Sequence, residues 1–373
     1  MKQELAATYL GYGWVAAANF AGYLLGNLIL LVAIGRVRRP LVLNALSFGV
    51  MAGSTIAVGL CSSLPAVAAC RFVNALAQAA VLVLTVSLTL AVVPVRLRGR
   101  ISGLTWMGAA LGVTLCGIAA PASIGLHPLL PWRLQWIVMG LVSLAVIPGF
   151  STSIRSAQHA TATMDAAETN VVVRPFILLC VVYACFGAGF VLLFTYFTAF
   201  VRGLGIPSAH IGFAWALAGV CGIAGAVLWG RAHDALAGRN IIPLPLGLAA
   251  VGVLAIASQK PLLIVAGAIV ALSSTFGFAG LLSAVARRYV GGAAFPTMFT
   301  VATIAFAIGQ IAGAPLGGAL GDRYGLTAVM SAAAVAYALG ALIAMALSHR
   351  RDARIRTFDF NHTPEHERNV TCR

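Results

Sequence analysis

Long apolar runs separated by short polar or basic turns set the pattern of this chain. They fall at about 9-34, 41-62, 65-93, 100-122, 131-150, 175-202, 208-232, 241-258, 261-288, 296-320 and 327-348. Each is close to the roughly 20 residues needed to cross a hydrocarbon core about 30 Å thick. None shows the alternation every second residue that marks a barrel strand. The pattern predicts an all-α integral membrane protein with 11 transmembrane helices present.

Composition supports this reading. Hydrophobic residues make up 61% of the chain and charged ones 9%, a balance with too few charges to cover a soluble domain of this size. The formal charge of +15 is spread as punctuation between apolar runs and does not form a patch interleaved with aromatics, so nucleic acid is not expected as a partner. If the first run crosses from outside to inside, 18 of the 24 basic residues lie on the inner side, among them Arg36, Arg38, Arg39, Arg96, Arg98, Arg100, Arg287 and Arg288. The positive-inside rule then puts the N-terminus of this chain outside and the C-terminus in the cytoplasm.

The longest internal polar stretch, at 151-174, separates five apolar runs from six. Expected boundaries are an N-terminal bundle at 1-150, a cytoplasmic central loop at 151-174, a C-terminal six-helix bundle at 175-348 and a disordered cytoplasmic tail at 349-373. The halves repeat. Gly-Arg pairs close a helix at 35-36 and again at 230-231, and small-residue runs with a proline recur at 107-121 and 307-318. Parallel six-helix repeats are a transporter pattern. The same offset puts the first-half counterpart of 175-202 largely before Met1, so the expectation is that a first helix is absent and that "MKQELAATYLGY" is the loop that followed it. A genuine eleven-helix chain with an exported N-terminus is the alternative.

Several segments carry a resemblance: "GWVAAANFAGYLLGNL" (13-28), "RFVNALAQAAVLVLTVSL" (71-88), "RGRISGLTWMGAALG" (98-112), "FGFAGLLSAVARRY" (276-289) and "FAIGQIAGAPLGGALGDRYG" (306-325). They resemble bacterial major facilitator transporters of the YbfB/YjiJ type over nearly the whole chain to about 347. The resemblance implies a major facilitator fold of two pseudo-symmetric helical bundles in a bacterial inner membrane. It also implies a G-x-x-x-D-[RK]-x-G-[RK] loop in each half. Gly35 and Arg36 lie in the first-half loop, "IGRVRRP", which has no carboxylate; the second-half "GRAHDALAGR" keeps Gly230, Asp234, Gly238 and Arg239. Asp322 and Arg323 form a further Gly-Asp-Arg group at the outer end of a later helix.

Polar groups at membrane depth are costly unless paired or facing a cavity, so they are the default functional candidates. All nine acids and all seven histidines lie at or beyond helix ends by the sequence reading. Arg71 is the one charge placed inside a helix; it either attracts an anionic substrate or snorkels and braces a neighbouring helix. Asn19 and Tyr23 share a helix face with Asn27, and Asn74 and Gln78 share one with Arg71. Trp106, Tyr183, Tyr196, Ser274 and Gln310 complete the candidate substrate cavity. Interhelical hydrogen bonding is the competing role for each of them taken singly. GxxxG pairs at Gly22/Gly26, Gly108/Gly112 and Gly309/Gly313 predict close helix contacts.

There is no phosphate-binding loop, no H-E-x-x-H and no G-x-S-x-G, and the seven cysteines show no metal-ligand spacing. Neither an enzyme nor a cofactor is expected. The reading is a monomeric secondary transporter of a small molecule, working by alternating access and driven by an ion gradient, with a proton as the candidate coupling ion. A receptor built on a transporter fold, or an inactive truncated transporter, is the alternative.

Overall fold

A computed structural model describes residues 9–124, 131–160, 171–206, 208–236, 239–347 and 357–358. It contains eleven helices: α1 Tyr9–Ala33, α2 Pro40–Leu60, α3 Leu64–Ala91, α4 Arg98–Ile124, α5 Pro131–Ala160, α6 Val173–Gly203, α7 Ser208–Ala235, α8 Pro243–Ala257, α9 Pro261–Tyr289, α10 Phe295–Tyr324 and α11 Leu326–Met345. Ten are long and apolar enough to cross a membrane. The shorter α8 has 15 residues, about 22 Å at 1.5 Å per residue. It is confined between Pro243 and the turn at Gln259, whose φ is 61°.

Local sequence explains where the helices begin. Proline sits in the first turn of α2, α3, α8, α9 and α10, where its missing N–H costs nothing. Ser63 caps α3 by accepting the Ala66 N–H at 3.4 Å. Gly325, at φ 82°, ends α10 and reverses the chain directly into α11.

The polar stretch read as a loop from 151 begins as helix. α5 continues to Ala160 because "STSIRSAQHA" contains no Gly or Pro, and Ile154 is buried in the main core. Polarity there marks the exit from the apolar layer, with the helix continuing past it. Residues 161–170, the remainder of that stretch up to β1, lie outside the described residues, as do residues 1–8. Of the tail, only Thr357–Phe358 (β2) is described, and it pairs antiparallel with Val171–Val172 (β1).

The repeat expected from the sequence is present in the packing. In the first half α1 packs on α3, and α2 on α3 and α5; six helices later α7 packs on α9, and α8 on α9 and α11. α6 lies against α10 and α11 and has no counterpart among the described helices. Two of the three glycine pairs make the close helix contacts expected of them, and the third does not. A Cβ on Gly22 or Gly26 would run into the α3 backbone at Phe72 and Leu76, and one on Gly309 or Gly313 into α6 at Ala184 and Ala188. The matching Gly108 and Gly112 of α4 meet nothing within 4 Å.

One large apolar core runs through α3 and α6 to α11, with smaller clusters around Tyr23 and Val58. The outward faces are apolar too: Val32, Leu262, Leu228, Leu342 and Met345 are all exposed. In water such a belt would drive aggregation; in a bilayer it is the lipid-facing surface. Between the halves the most extensive contact is α4 with α7, supported by α4 with α9 and α1 with α10.

Candidate functional site

The halves meet at two polar levels. The first is a clasp at the end where α1 finishes and α4 begins. Asp234, in the last turn of α7, accepts the Gly99 N–H at 2.9 Å and the Arg100 N–H at 2.7 Å. Those amides belong to the first turn of α4, where N–H groups lack helical partners and the helix dipole favours an anion. The approach depends on small residues: a Cβ on Gly99 would lie 2.6 Å from the Gly230 carbonyl oxygen, and one on Gly230 2.5 Å from that of Gly99. Among the described residues only Asp234 and Asp322 are carboxylates, and Asp322 is exposed at the opposite end of the bundle.

Next to Asp234, His233 is buried between helices, and Arg288 Nη2 of α9 approaches its Nε2 to 3.0 Å. Arginine carries only donors, so the imidazole accepts. One turn further into α4, the Ser102 hydroxyl donates to the Gly280 carbonyl at 2.7 Å and lies 2.5 Å from the Ser283 hydroxyl of α9. On the other side of the bundle, Thr303 of α10 donates to Asn27 Oδ1 of α1 at 2.5 Å, while Asn27 Nδ2 donates to the Tyr23 carbonyl at 2.9 Å.

The second level lies deeper. Among the described residues, Asn19 Oδ1, Tyr23 OH, Trp106 Nε1 and Tyr183 OH are buried polar atoms with no hydrogen-bond partner. Such atoms are scarce in folded proteins, and each calls for a reason. Tyr23 is ten residues from the end of α1, Trp106 eight from the start of α4 and Tyr183 ten from the start of α6. At 1.5 Å per residue these distances put all three about 12–15 Å in from the same face. Tyr183 stacks on Phe306 at 4.8 Å, and Phe306 also packs against the small cluster around Tyr23 and Ala307. An aromatic line thus joins α1, α10 and α6 across the two halves.

The other sequence candidates have different surroundings. Asn74 is committed to α2, donating to the Met51 carbonyl at 2.9 Å and to Thr55 Oγ1 at 2.8 Å, so it pins α3 to its neighbour. Arg71 stands over the Trp136 ring at 5.2 Å, against α5. Tyr196 donates to the Ala314 carbonyl at 2.9 Å, tying α6 to α10. Ser274 and Gln310 are buried in α9 and α10, and Gln78 is exposed. Gly35 and Arg36 are exposed at the end of α1, Arg239 is exposed past α7, Arg323 lies over Tyr324 at 5.3 Å, and Gly238 lies outside the described residues.

Sequence reading did not find His233, Arg288, Ser102, Ser283 or Thr303. Their partners are 55, 181 and 276 residues away, and nothing local in a serine or threonine of an apolar helix announces such a distant hydroxyl.

Compared with known proteins, residues 1–348 match the family described as "Uncharacterised MFS-type transporter YbfB". The chain belongs to this family. It is therefore an MFS-type transporter, of a family of transporters and not of enzymes. No curated protein matches it by sequence. Among solved structures it is similar to the human organic anion transporter MFSD10 (TETRAN), with a TM-score of 0.71 and 17% identity over 89% of this chain and 82% of that one. It is also similar to the proton:xylose symporter XylE, with a TM-score of 0.70 and 13% identity over 90% and 86% of the two chains. The fucose:proton symporter FucP of E. coli gives 0.65 at 12% identity, over 91% of each. At these identities the likeness establishes the major facilitator fold alone.

Proposed function

We propose that this MFS-type transporter moves a small organic molecule by alternating access, with bundles at 1-150 and 175-348 rocking about a site near Tyr23, Trp106 and Tyr183. The observation that carries this reading is the set of unpartnered polar atoms on α1, α4 and α6. Those of Tyr23, Trp106 and Tyr183 share one depth and come from both halves, and the set leaves hydrogen-bonding capacity that only a bound molecule or water can take up. The clasp of Asp234 on α4 then acts as the gate on the cytoplasmic face, with α1 entering from outside.

An aromatic site with hydroxyl, amide and indole groups suits a neutral or anionic solute with several oxygens. The molecules named for the similar structures, an organic anion, xylose and fucose, are of that kind. Coupling is to an ion gradient. If the ion is a proton, His233, buried in the last turn of α7 beside the α4 contact, is the candidate station. The protein acts as a monomer in a bacterial inner membrane.

Purified protein screened by thermal shift against sugars, sugar acids and aromatic acids tests the reading. A stabilising compound should be taken up by proteoliposomes, and Tyr183→Phe should raise its half-saturation concentration without lowering the melting temperature of the empty protein. Uptake by Tyr23→Phe, Trp106→Phe and Tyr183→Phe with unchanged half-saturation would refute the site.

A further inference from the structure

The two halves differ at the helix N-terminus that faces the opposite bundle. On α4 that terminus is occupied by Asp234. The corresponding terminus in the other half is that of α10, which faces the 3₁₀ turn Ile34–Arg36 and the loop beyond it. That loop brings Arg36, Arg38 and Arg39 and no acid. Ala294, at the cap position of α10, makes no side-chain hydrogen bond. The Phe295 N–H reaches the Gly292 carbonyl, Pro296 has none and Met298 bonds the Ala294 carbonyl, which leaves Thr297 to supply an amide. A pocket of about 210 Å³ opens here, bordered by Gly35, Val37, Ser87 and Thr297.

Two further observations concern what this pocket takes. Ser87 of α3 lines it, is 7% exposed, and its Oγ is buried with no hydrogen-bond partner. Arg287 also lines it, donating to the Val290 carbonyl at 3.1 Å and standing 5.2 Å over the Phe295 ring, so its positive charge is fixed at the rim. No Asp or Glu is among the described lining residues. The unpartnered Ser87 hydroxyl and the helix-start amide are the open donors of this cavity, and they suit an oxyanion.

We propose that the pocket between α3, the end of α1 and the start of α10 binds a phosphate group, as inorganic phosphate or as the phosphodiester of an anionic lipid headgroup, at the place where Asp234 sits in the other half. Bound there, the anion bridges the bundles at α1 and α10 and favours the clasped arrangement. The ligand is distinct from the transported molecule, because the pocket lies at the helix ends and the substrate site proposed above lies about 12–15 Å deeper.

The full chain, purified in an uncharged detergent, is titrated with sodium phosphate at constant ionic strength against chloride, and unfolding temperature is read. The expected result is a saturable rise in Tm. In Ser87→Ala half-saturation should weaken about tenfold, the usual cost of one charge-assisted donor. In Val37→Asp a carboxylate tethered inside the pocket should raise the starting Tm and abolish the response. If inorganic phosphate has no effect but phosphatidylglycerol in mixed micelles produces the same Ser87-dependent rise, the oxyanion is a lipid headgroup. No saturable response to either, or one unchanged in both variants, overturns the proposal. Gly108→Ala, in α4 where nothing lies within 4 Å, serves as a control that should respond as the parent does.

Discussion

Replacing Asp234 with asparagine removes one charge and one acceptor from the contact that joins α7 to α4. The carboxylate takes two backbone N–H groups at 2.9 and 2.7 Å, and the amide can take only one, since its NH₂ would face the other donor. Bonds to an ionised partner contribute about 1.5–3 kcal/mol each when sheltered, and the dipole adds a few tenths. Asp234 is only half-buried, so screening reduces the sum. A loss of about 1–3 kcal/mol for the clasped state remains, which shifts the clasped-to-unclasped ratio about 5- to 150-fold. The measurement is a spin-label distance distribution between Arg96→Cys and Arg231→Cys, both exposed positions, in a background lacking the seven native cysteines. Asp234→Asn should move population from the short to the long distance, and raised salt should shrink the difference between parent and variant. Identical distributions would show that the clasp is a passive contact.

Other outcomes follow from the same structure. Ser102→Ala and Ser283→Ala should each lower Tm, and the double variant should lose less than the sum, since one shared hydrogen-bonded cluster is removed only once. Asn74→Ala should cost about 1–2 kcal/mol in a detergent unfolding assay, because the α2–α3 clamp loses its donor. Arg71→Ala should cost about 0.5–2 kcal/mol of stability through loss of the Trp136 contact; an unchanged Tm together with lost uptake would assign Arg71 to substrate instead. The Cys61 thiol, just past the end of α2, is pushed up to about 11 by burial and by the neighbouring Cys70 thiol 3.7 Å away. It should therefore stay protonated and react slowly with maleimide at neutral pH, gaining rate only as pH rises toward that value.

The helices were legible from the sequence because a bilayer imposes a length on every crossing, and prolines and glycines mark the turns. The repeat was legible too, in the packing of α1, α2, α3 and α5 that α7, α8, α9 and α11 reproduce, while the glycine faces of α4 and α10 meet different surroundings. Asp234 was found because its glycine neighbours form a spaced motif. Asn19, Tyr23, Trp106 and Tyr183 were singled out by polarity alone, but polarity gave equal weight to Asn74 and Tyr196, whose groups the structure spends on neighbouring helices. Whether a polar group is satisfied depends on a partner elsewhere in the chain, and one sequence does not say where that partner lies. His233 shows the converse: a residue in the last turn of a helix reads as solvated until α9 closes over it.

The bonds that close one half onto the other also impose an order in time. Asn27 meets Thr303 and Gly99 meets Asp234, separations of 276 and 135 residues. At roughly 5–20 residues per second, α1 waits on the order of 15–50 s in the membrane before its partner on α10 has been synthesised. For about half of that interval α4 lacks α7, and for most of it α9, the helix that holds the partners of Ser102. The C-terminal half, with α6 against α10 and α11 and most of the apolar core, assembles within its own length. The nascent N-terminal helices are thus the aggregation-prone part of the protein, and completion of α10 is the event that ends their exposure.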